Sequence, residues 1–352
     1  MSALCIHFGT CGGCAVQDMA SAEYRALKRE TVVHALVRHG VEATVAQAVE
    51  VPEGTRRRCV LKIAKRDGAV AIGFHARASH DIVDMRECRV LTPALTALVP
   101  RLRAVMGDIL RDDDGAEARV TQTDSGFDLV LRWKKPSAPG LVAQLAAWAE
   151  RSGVARIASN NDILVELGAP MLRIGEVQVR LPPGAFLQPT REGEIFLQSA
   201  AAEGLSKAKS AVDLFAGCGT FSLALARRMK MHAVELEAAQ LAALCAAARA
   251  TAGLKPITAE KRDLFKRPLG ARELAAFDAA ILDPPRAGAA AQIAELAKSG
   301  LRRIVYVSCN PDSFARDARA LMGAGYKIGN VTPVDQFLWS EHIELVACFT
   351  RD

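Results

Sequence analysis

The spacing of apolar positions divides the chain into three stretches. From about residue 21 to 39, Tyr24, Leu27, Val32 and Leu36 recur on one side of a helix with basic residues between them. Between 50 and 180 the period shortens. Val60-Leu61-Lys62-Ile63-Ala64 and Ala69-Val70-Ala71-Ile72-Gly73-Phe74 read as strands. The segments 119–122 and 127–131 flank Asp124-Ser125-Gly126, a hairpin signal, and 91–110 and 140–152 read as helices. This middle stretch is α+β. From about 192 strands and helices alternate. Strands are expected over 211–215, 232–235, 256–260, 278–282, 303–308, 326–333 and 343–349. Helices are expected from Thr220 and over 238–252, 289–299 and 312–323. Repeated βα units predict a mostly parallel, doubly wound sheet of seven strands. The last two strands, joined without a helix, predict an antiparallel pair at one edge. Pro182-Pro183-Gly184 marks the joint between the middle and last stretches.

Composition narrows the class. The chain has 352 residues, half of them hydrophobic and 24% charged, which suits two or three packed domains and argues against disorder. No apolar run approaches the roughly 20 residues of a membrane span. Met1-Ser2-Ala3-Leu4-Cys5-Ile6-His7 lacks the basic and hydrophobic regions of a secretory signal, so a cytoplasmic protein is expected, with no membrane partner. A net charge of +6 permits a polyanionic partner without demanding one, and 5% aromatics argues against broad base-stacking platforms. Two basic groups are candidates for phosphate contacts: Arg56, Arg57, Arg58, Lys62, Lys65 and Arg66, and then Arg132, Lys134 and Lys135.

Val212-Asp213-Leu214-Phe215-Ala216-Gly217-Cys218-Gly219-Thr220 ends the first strand of the βα series. Gly217 and Gly219 let backbone approach a ligand closely. Glu235 ends the next strand, where a carboxylate can hold ribose hydroxyls. The third glycine of a dinucleotide loop is absent, since Ser222 stands there, and an acid precedes the loop. Both features favour S-adenosylmethionine (SAM), which has no pyrophosphate to cradle. Asp263 and Asp283 end later strands, so Asp213, Glu235, Asp263 and Asp283 are expected to converge on one crevice.

Cys309, in Val307-Ser308-Cys309-Asn310-Pro311, stands on the same rim at the start of a helix, where a lowered thiol pKa is expected. Beside a methyl donor, a thiolate could add to C6 of uracil, making C5 nucleophilic enough to take the methyl group. A base must then remove the C5 proton. Glu344 is the best candidate, with Glu341 and His342 as rivals. Amine methyltransferases favour an aromatic residue where Arg286 follows the two prolines, and cytosine-C5 enzymes a second cysteine where a proline follows Asp283. Both departures favour uracil.

Cys5, Cys11 and Cys14 crowd one loop with gaps of five and two residues, and Cys88 is a possible fourth ligand. Four thiolates suit zinc or an iron–sulfur cluster. Three ligands in one loop and one remote favour [4Fe–4S]. Cys59, Cys218, Cys245 and Cys348 read as packing residues.

Together these motifs resemble the RNA 5-methyluridine methyltransferases, specifically the 23S rRNA (uracil-5-)-methyltransferase branch. The likeness spans Cys-x5-Cys-Gly-Gly-Cys-x2-Gln at 5–17, Ile72-Gly73-Phe74 through Cys88, Phe186-Leu187-Gln188, Asp213 to Gly219, Asp283 to Arg286, Ser308 to Pro311 and His342 to Glu344. It implies an iron–sulfur region over 1–45 with Cys88 as fourth ligand, a central RNA-contacting domain over 46–185 and a Rossmann-like SAM-dependent methyltransferase domain over 186–352. It implies Cys309 as nucleophile, Glu344 as base, and Gln188, Phe215, Glu235 and Asp283 at the SAM site. It also implies Cys5, Cys11, Cys14 and Cys88 as cluster ligands. The sequence departs from the family pattern at Thr190, at Thr220 and over Phe337-Leu338-Trp339-Ser340-Glu341. The chain begins at the cysteine loop, so no TRAM domain is expected. The tRNA-acting branch lacks the cluster, which favours 23S rRNA as the partner, with no DNA. The target uridine must flip from its stack. Methylation of tRNA, or a non-catalytic iron–sulfur RNA-binding protein, are the alternatives.

Overall fold

Two large sheets organise the chain in a computed structural model that describes residues 4–134, 140–160 and 162–352. In the C-terminal sheet the strands Ser210–Leu214, Lys230–Glu235, Ile257–Lys261, Ala279–Leu282 and Arg303–Ser308 run parallel. Glu344–Thr350 lies antiparallel to Arg303–Ser308. These strands are apolar on both sides, because helices cover both faces. Val212, Leu282, Ile304 and Tyr306 enter one core, shared with Val32, Ala35 and Leu36 of the helix Ser21–Arg38 and with Phe314 of the helix Pro311–Gly323. Ala211, Ile281, Val305 and Val346 enter another, shared with Leu197 and Ala201 of the helix Arg191–Gly204.

The sheet has nine strands where seven are expected, and it is mixed because its last strands pair antiparallel, as their helix-free connection predicts. One difference is a one-residue register shift that breaks 326–333 into Lys327–Ile328 and Thr332–Asp335, both antiparallel to Glu344–Thr350. The other is Val49–Glu50, which pairs parallel to Thr332–Asp335 as an added edge and is too short to show a period. The helix expected from Thr220 is reduced to Ser222–Leu225.

The central sheet has the order Ile82–Asp84, Ala69–His75, Arg58–Arg66, Gly115–Thr123, Gly126–Trp133, Val154–Ser159, Asp162–Glu166. The helices Pro93–Ile109 and Leu141–Ser152 cover one face, where Leu61, Ile63, Val120 and Leu131 meet Leu102, Met106 and Leu145. The opposite face carries the cross-strand row Lys62, Glu117, Arg132 beside the row Val60, Arg119, Val130. Among the described residues, no helix is long and apolar enough to cross a membrane.

Part of the basic stretch in this domain is turned inward. Arg57 is buried, pairs with Glu194 at 2.6 Å and donates from Nε to Gln188 O at 3.1 Å. Arg58 donates to Leu187 O at 2.6 Å and stacks on Phe186 at 4.7 Å, while Lys65 donates to Gly107 O and Leu110 O. Arg57 and Arg58 thus clamp the interdomain segment and Lys65 the end of the helix Pro93–Ile109, while Lys62 and Arg66 stay toward solvent. A charge run has no period that says which way it faces. Lys135 of the second group lies outside the described residues.

Candidate active site

Register brings the site together. Ser308 pairs with Leu345, so the residues following and preceding them, Cys309 and Glu344, meet across the antiparallel strands. Asp283 follows Leu282, which pairs with Tyr306 on the other side of the same strand. Cys309 therefore stands between two carboxylates at the carboxyl end of the sheet. The rivals Glu341 and His342 are exposed and line a separate cavity, described below.

Burial dominates the electrostatics. Glu344 is 3% exposed, and its Oε1 has no hydrogen-bond partner. Burial, reinforced by Asp283, raises its pKa well above the ordinary glutamate value. Asp283 is pushed up to about 7 by burial and by Asp213, against a hydrogen bond donated by Gln188 Nε2 at 2.8 Å. Cys309 is pushed up to about 12 by burial first, then by Glu344 and Asp283, with Arg286 acting the other way. This reverses the lowered thiol pKa expected from helix position. Asn310 side-chain Oδ1 caps that helix by accepting from Asp312 N at 3.1 Å, and two acids face the sulfur.

The glycine loop lies on the same rim. Phe215, Gly217 and Gly219 have φ of +66°, +55° and +92°. The left-handed region suits the glycines, while Phe215 holds it under strain, as residues at functional loops often do. Glu235 fastens the loop by accepting Gly217 N at 2.9 Å, and its other oxygen accepts Glu237 N at 2.8 Å. Asp213 is fully buried. One oxygen accepts from Ser222 N and Oγ, the other has no partner, and burial lifts its pKa to about 6. Asp263 caps its own turn by accepting from Phe265 N and Lys266 N. That turn sets the Phe265 ring 5.5 Å from Phe215, forming an aromatic wall beside the loop.

Cys5, Cys11, Cys14 and Cys88 line one cavity of about 500 Å³, together with Gln17, Arg56, Glu341 and His342. Burial, then the neighbouring Cys88, Cys11 and Cys5, push the Cys14 thiol up to about 12. Among the described residues, no group of three or more His, Cys, Asp or Glu is arranged to hold a metal ion. The loop 337–342 forms the far wall of this cavity. Ala15 N and Val16 N donate to Trp339 O, and the buried Lys28 donates to Phe337 O and His342 O while pairing with Asp335 at 2.8 Å.

Sequence reasoning missed Gln336, Glu194 and Lys28 at this site. Each acts on a residue more than a hundred positions away, and no spacing rule connects them.

Residues 149–351 match the family profile described as tRNA (uracil-5-)-methyltransferase. An uncharacterized RNA methyltransferase of Rhizobium meliloti is 42% identical over 99% of this chain and 85% of its own. One from Brucella suis is 43% identical over 99% and 84%. Among solved structures, the Pyrococcus abyssi tRNA (uracil-54, C5)-methyltransferase in complex with S-adenosyl-L-homocysteine has a similar fold. Its TM-score is 0.75 and its identity 23%, covering 96% of this chain and 86% of that one. A profile match over more than half the chain, with relatives above 40% identity along nearly all of it, places this protein in the tRNA (uracil-5-)-methyltransferase family of RNA methyltransferases.

Proposed function

We propose that this RNA methyltransferase transfers the methyl group of SAM to C5 of a specific uridine in 23S rRNA, in the cytoplasm. The observation that carries the reading is the register that sets Cys309 between Glu344 and Asp283, beside the glycine loop. Cys309 Sγ, as thiolate, bonds to C6 of the flipped uracil and makes C5 electron-rich. C5 displaces the methyl group from the sulfonium, leaving S-adenosylhomocysteine. The Glu344 carboxylate takes the C5 proton, and the electron pair it releases expels the sulfur from C6. The rim is crowded with groups that resist ionisation. The cationic methyl donor brings the positive charge that lets them ionise.

Gln188, Asp213, Phe215, Gly217, Gly219, Glu235, Asp263 and Asp283 form the SAM site in this reading. Phe215 and Phe265 offer a wall for the adenine, and Glu235 receives the ribose. The open face of the central sheet, with Lys62, Arg119 and Arg132, leads RNA toward Phe186 and the rim.

Cys5, Cys11, Cys14 and Cys88, which line one cavity, are read here as the ligands of a [4Fe–4S] cluster. Four thiols spaced around a cavity suit a multi-iron centre better than a single zinc ion, which draws its ligands to a point. When bound, the cluster cross-links the N-terminal loop to the central sheet. Gln17 already accepts from Cys5 N at 3.0 Å, and Glu87 accepts from Ile6 N at 2.7 Å, which holds that loop in place.

A second reading, a tRNA uridine as the acceptor, is favoured by the family description itself. Mapping 5-methyluridine across rRNA and tRNA in a strain lacking the protein separates the two. One rRNA uridine should lose its methyl group and regain it with wild type but not with Cys309→Ala. Loss confined to tRNA overturns the 23S assignment, and no loss anywhere overturns the activity.

A further inference from the structure

Behind the rim runs a buried string of side chains that ends on Gln188 and Asp283 and whose inner members, Thr190 and Gln336, the chemistry above does not use. Thr190 Oγ1 accepts from Gly193 N at 3.1 Å, which leaves its hydroxyl proton for Gln336 Oε1 at 3.2 Å. With that oxygen occupied, Gln336 turns its NH2 to Gln188 Oε1 at 2.9 Å. Gln188 then directs its own NH2 to Asp283 Oδ2 at 2.8 Å. Thr190, Gln188 and Gln336 are each no more than 2% exposed, so bulk water does not compete for these bonds. The first turn of the helix Arg191–Gly204 is hollowed to admit Gln336. A Cβ on Gly193 would lie 2.3–2.5 Å from the Oε1, Cδ and Cγ of that side chain. An amide group has a donor end and an acceptor end, so a string of amides anchored by a hydroxyl donor has one direction.

We propose that Gln336 is a positioning residue that locks the Gln188 amide with its NH2 toward Asp283, keeping that carboxylate a hydrogen-bond acceptor at the rim. The use of Asp283 in methyl transfer rests on the function proposed above, whereas the directional string does not. The titratable groups facing Asp283 from neighbouring strands are Asp213, Tyr306, Cys309 and Glu344. Burial and then Asp213 disfavour its ionisation. Arg286 lies three residues along the same loop. Gln188 is the group that favours the ionised form, so its orientation matters.

Gln336→Glu should reverse the string. A carboxylate accepts and cannot donate, so the Gln188 NH2 turns back toward it and presents Oε1 to Asp283. Gln336→Met leaves Gln188 unanchored without reversing it. The test is a pH titration of full-length protein carrying ¹³C-labelled aspartate carboxyls, without SAM or RNA, with Asp283 assigned through Asp283→Asn. The Asp283 midpoint should rise by about one pH unit or more in Gln336→Glu, and by about half a unit in Gln336→Met. Equal midpoints in wild type and both variants overturn the proposal. Should Gln336→Glu fail to fold, Gln336→Met decides alone, a rise supporting the proposal and no rise overturning it. Calorimetry with SAM across the same pH range tests the functional reading separately. A wild type that binds no SAM, with the midpoint shifts intact, refutes that reading and leaves the string standing.

Discussion

The two sheets offer their surroundings different things. The C-terminal sheet is covered on both faces, so its polar groups are confined to the rim where strands end. The central sheet is covered by helices on one face, while on the other Asp128 and Arg156 are buried beneath the interdomain segment and the row Lys62, Glu117, Arg132 is left toward solvent. A buried rim creates a few strongly perturbed groups around a small volume, which suits bond-making on one nucleotide. A row of charges left toward solvent across three strands suits contact with a polyanion.

Breaking the rim should have the largest effects. Cys309→Ala should lower methyl transfer by at least about 10⁴-fold and abolish the covalent adduct with 5-fluorouridine RNA, with SAM affinity unchanged. Radiolabelled SAM and denaturing gels measure both. Glu344→Gln should cost about 10²–10⁴-fold in turnover and make the methylated covalent adduct accumulate on ordinary RNA, because the C5 proton stays in place. Cutting the joint between the sheets comes next. Arg57→Met strands the buried Glu194 carboxylate, and denaturant unfolding should show a loss of about 3–5 kcal/mol.

The rim should also leave a pH signature. Asp213 and Asp283 have pKa values near 6 and 7 in the fold, raised from an ordinary 3.8. The native state then binds more protons than the unfolded chain, so stability falls as pH rises. The contribution is full below about pH 4 and lost above about pH 7. Unfolding of the SAM-free protein at pH 5 and pH 8 should show this decline, and Asp283→Asn should reduce it. The open face should give the smallest change. Arg132→Ala should weaken RNA binding several-fold and lower the salt slope by about one, with stability within about 0.5 kcal/mol of wild type. A large stability loss there would collapse the contrast between the sheets.

Legibility in the sequence follows the same division. Asp213, Glu235, Asp283 and Cys309 lie at or just past the carboxyl ends of parallel strands and Glu344 at the start of an antiparallel one, positions that meet at one edge of the sheet whatever the side-chain details. Their meeting was therefore readable from local pattern. The ionisation of Cys309 was not, because it depends on two acids supplied by other strands. The fate of Arg57 was hidden for a similar reason, since its partner lies 137 positions away. Gln336 and Gln188 meet across 148 positions, and neither stands at a place a period would mark.

The added edge Val49–Glu50 bears on how the molecule is made. It docks on Thr332–Asp335, near the far end of the chain. At about 5–20 residues per second, a ribosome needs on the order of 15–60 s to supply that mate after the first segment emerges. Until then the apolar side of Ser21–Arg38, whose Val32, Ala35 and Leu36 pack against that sheet, lacks its cover.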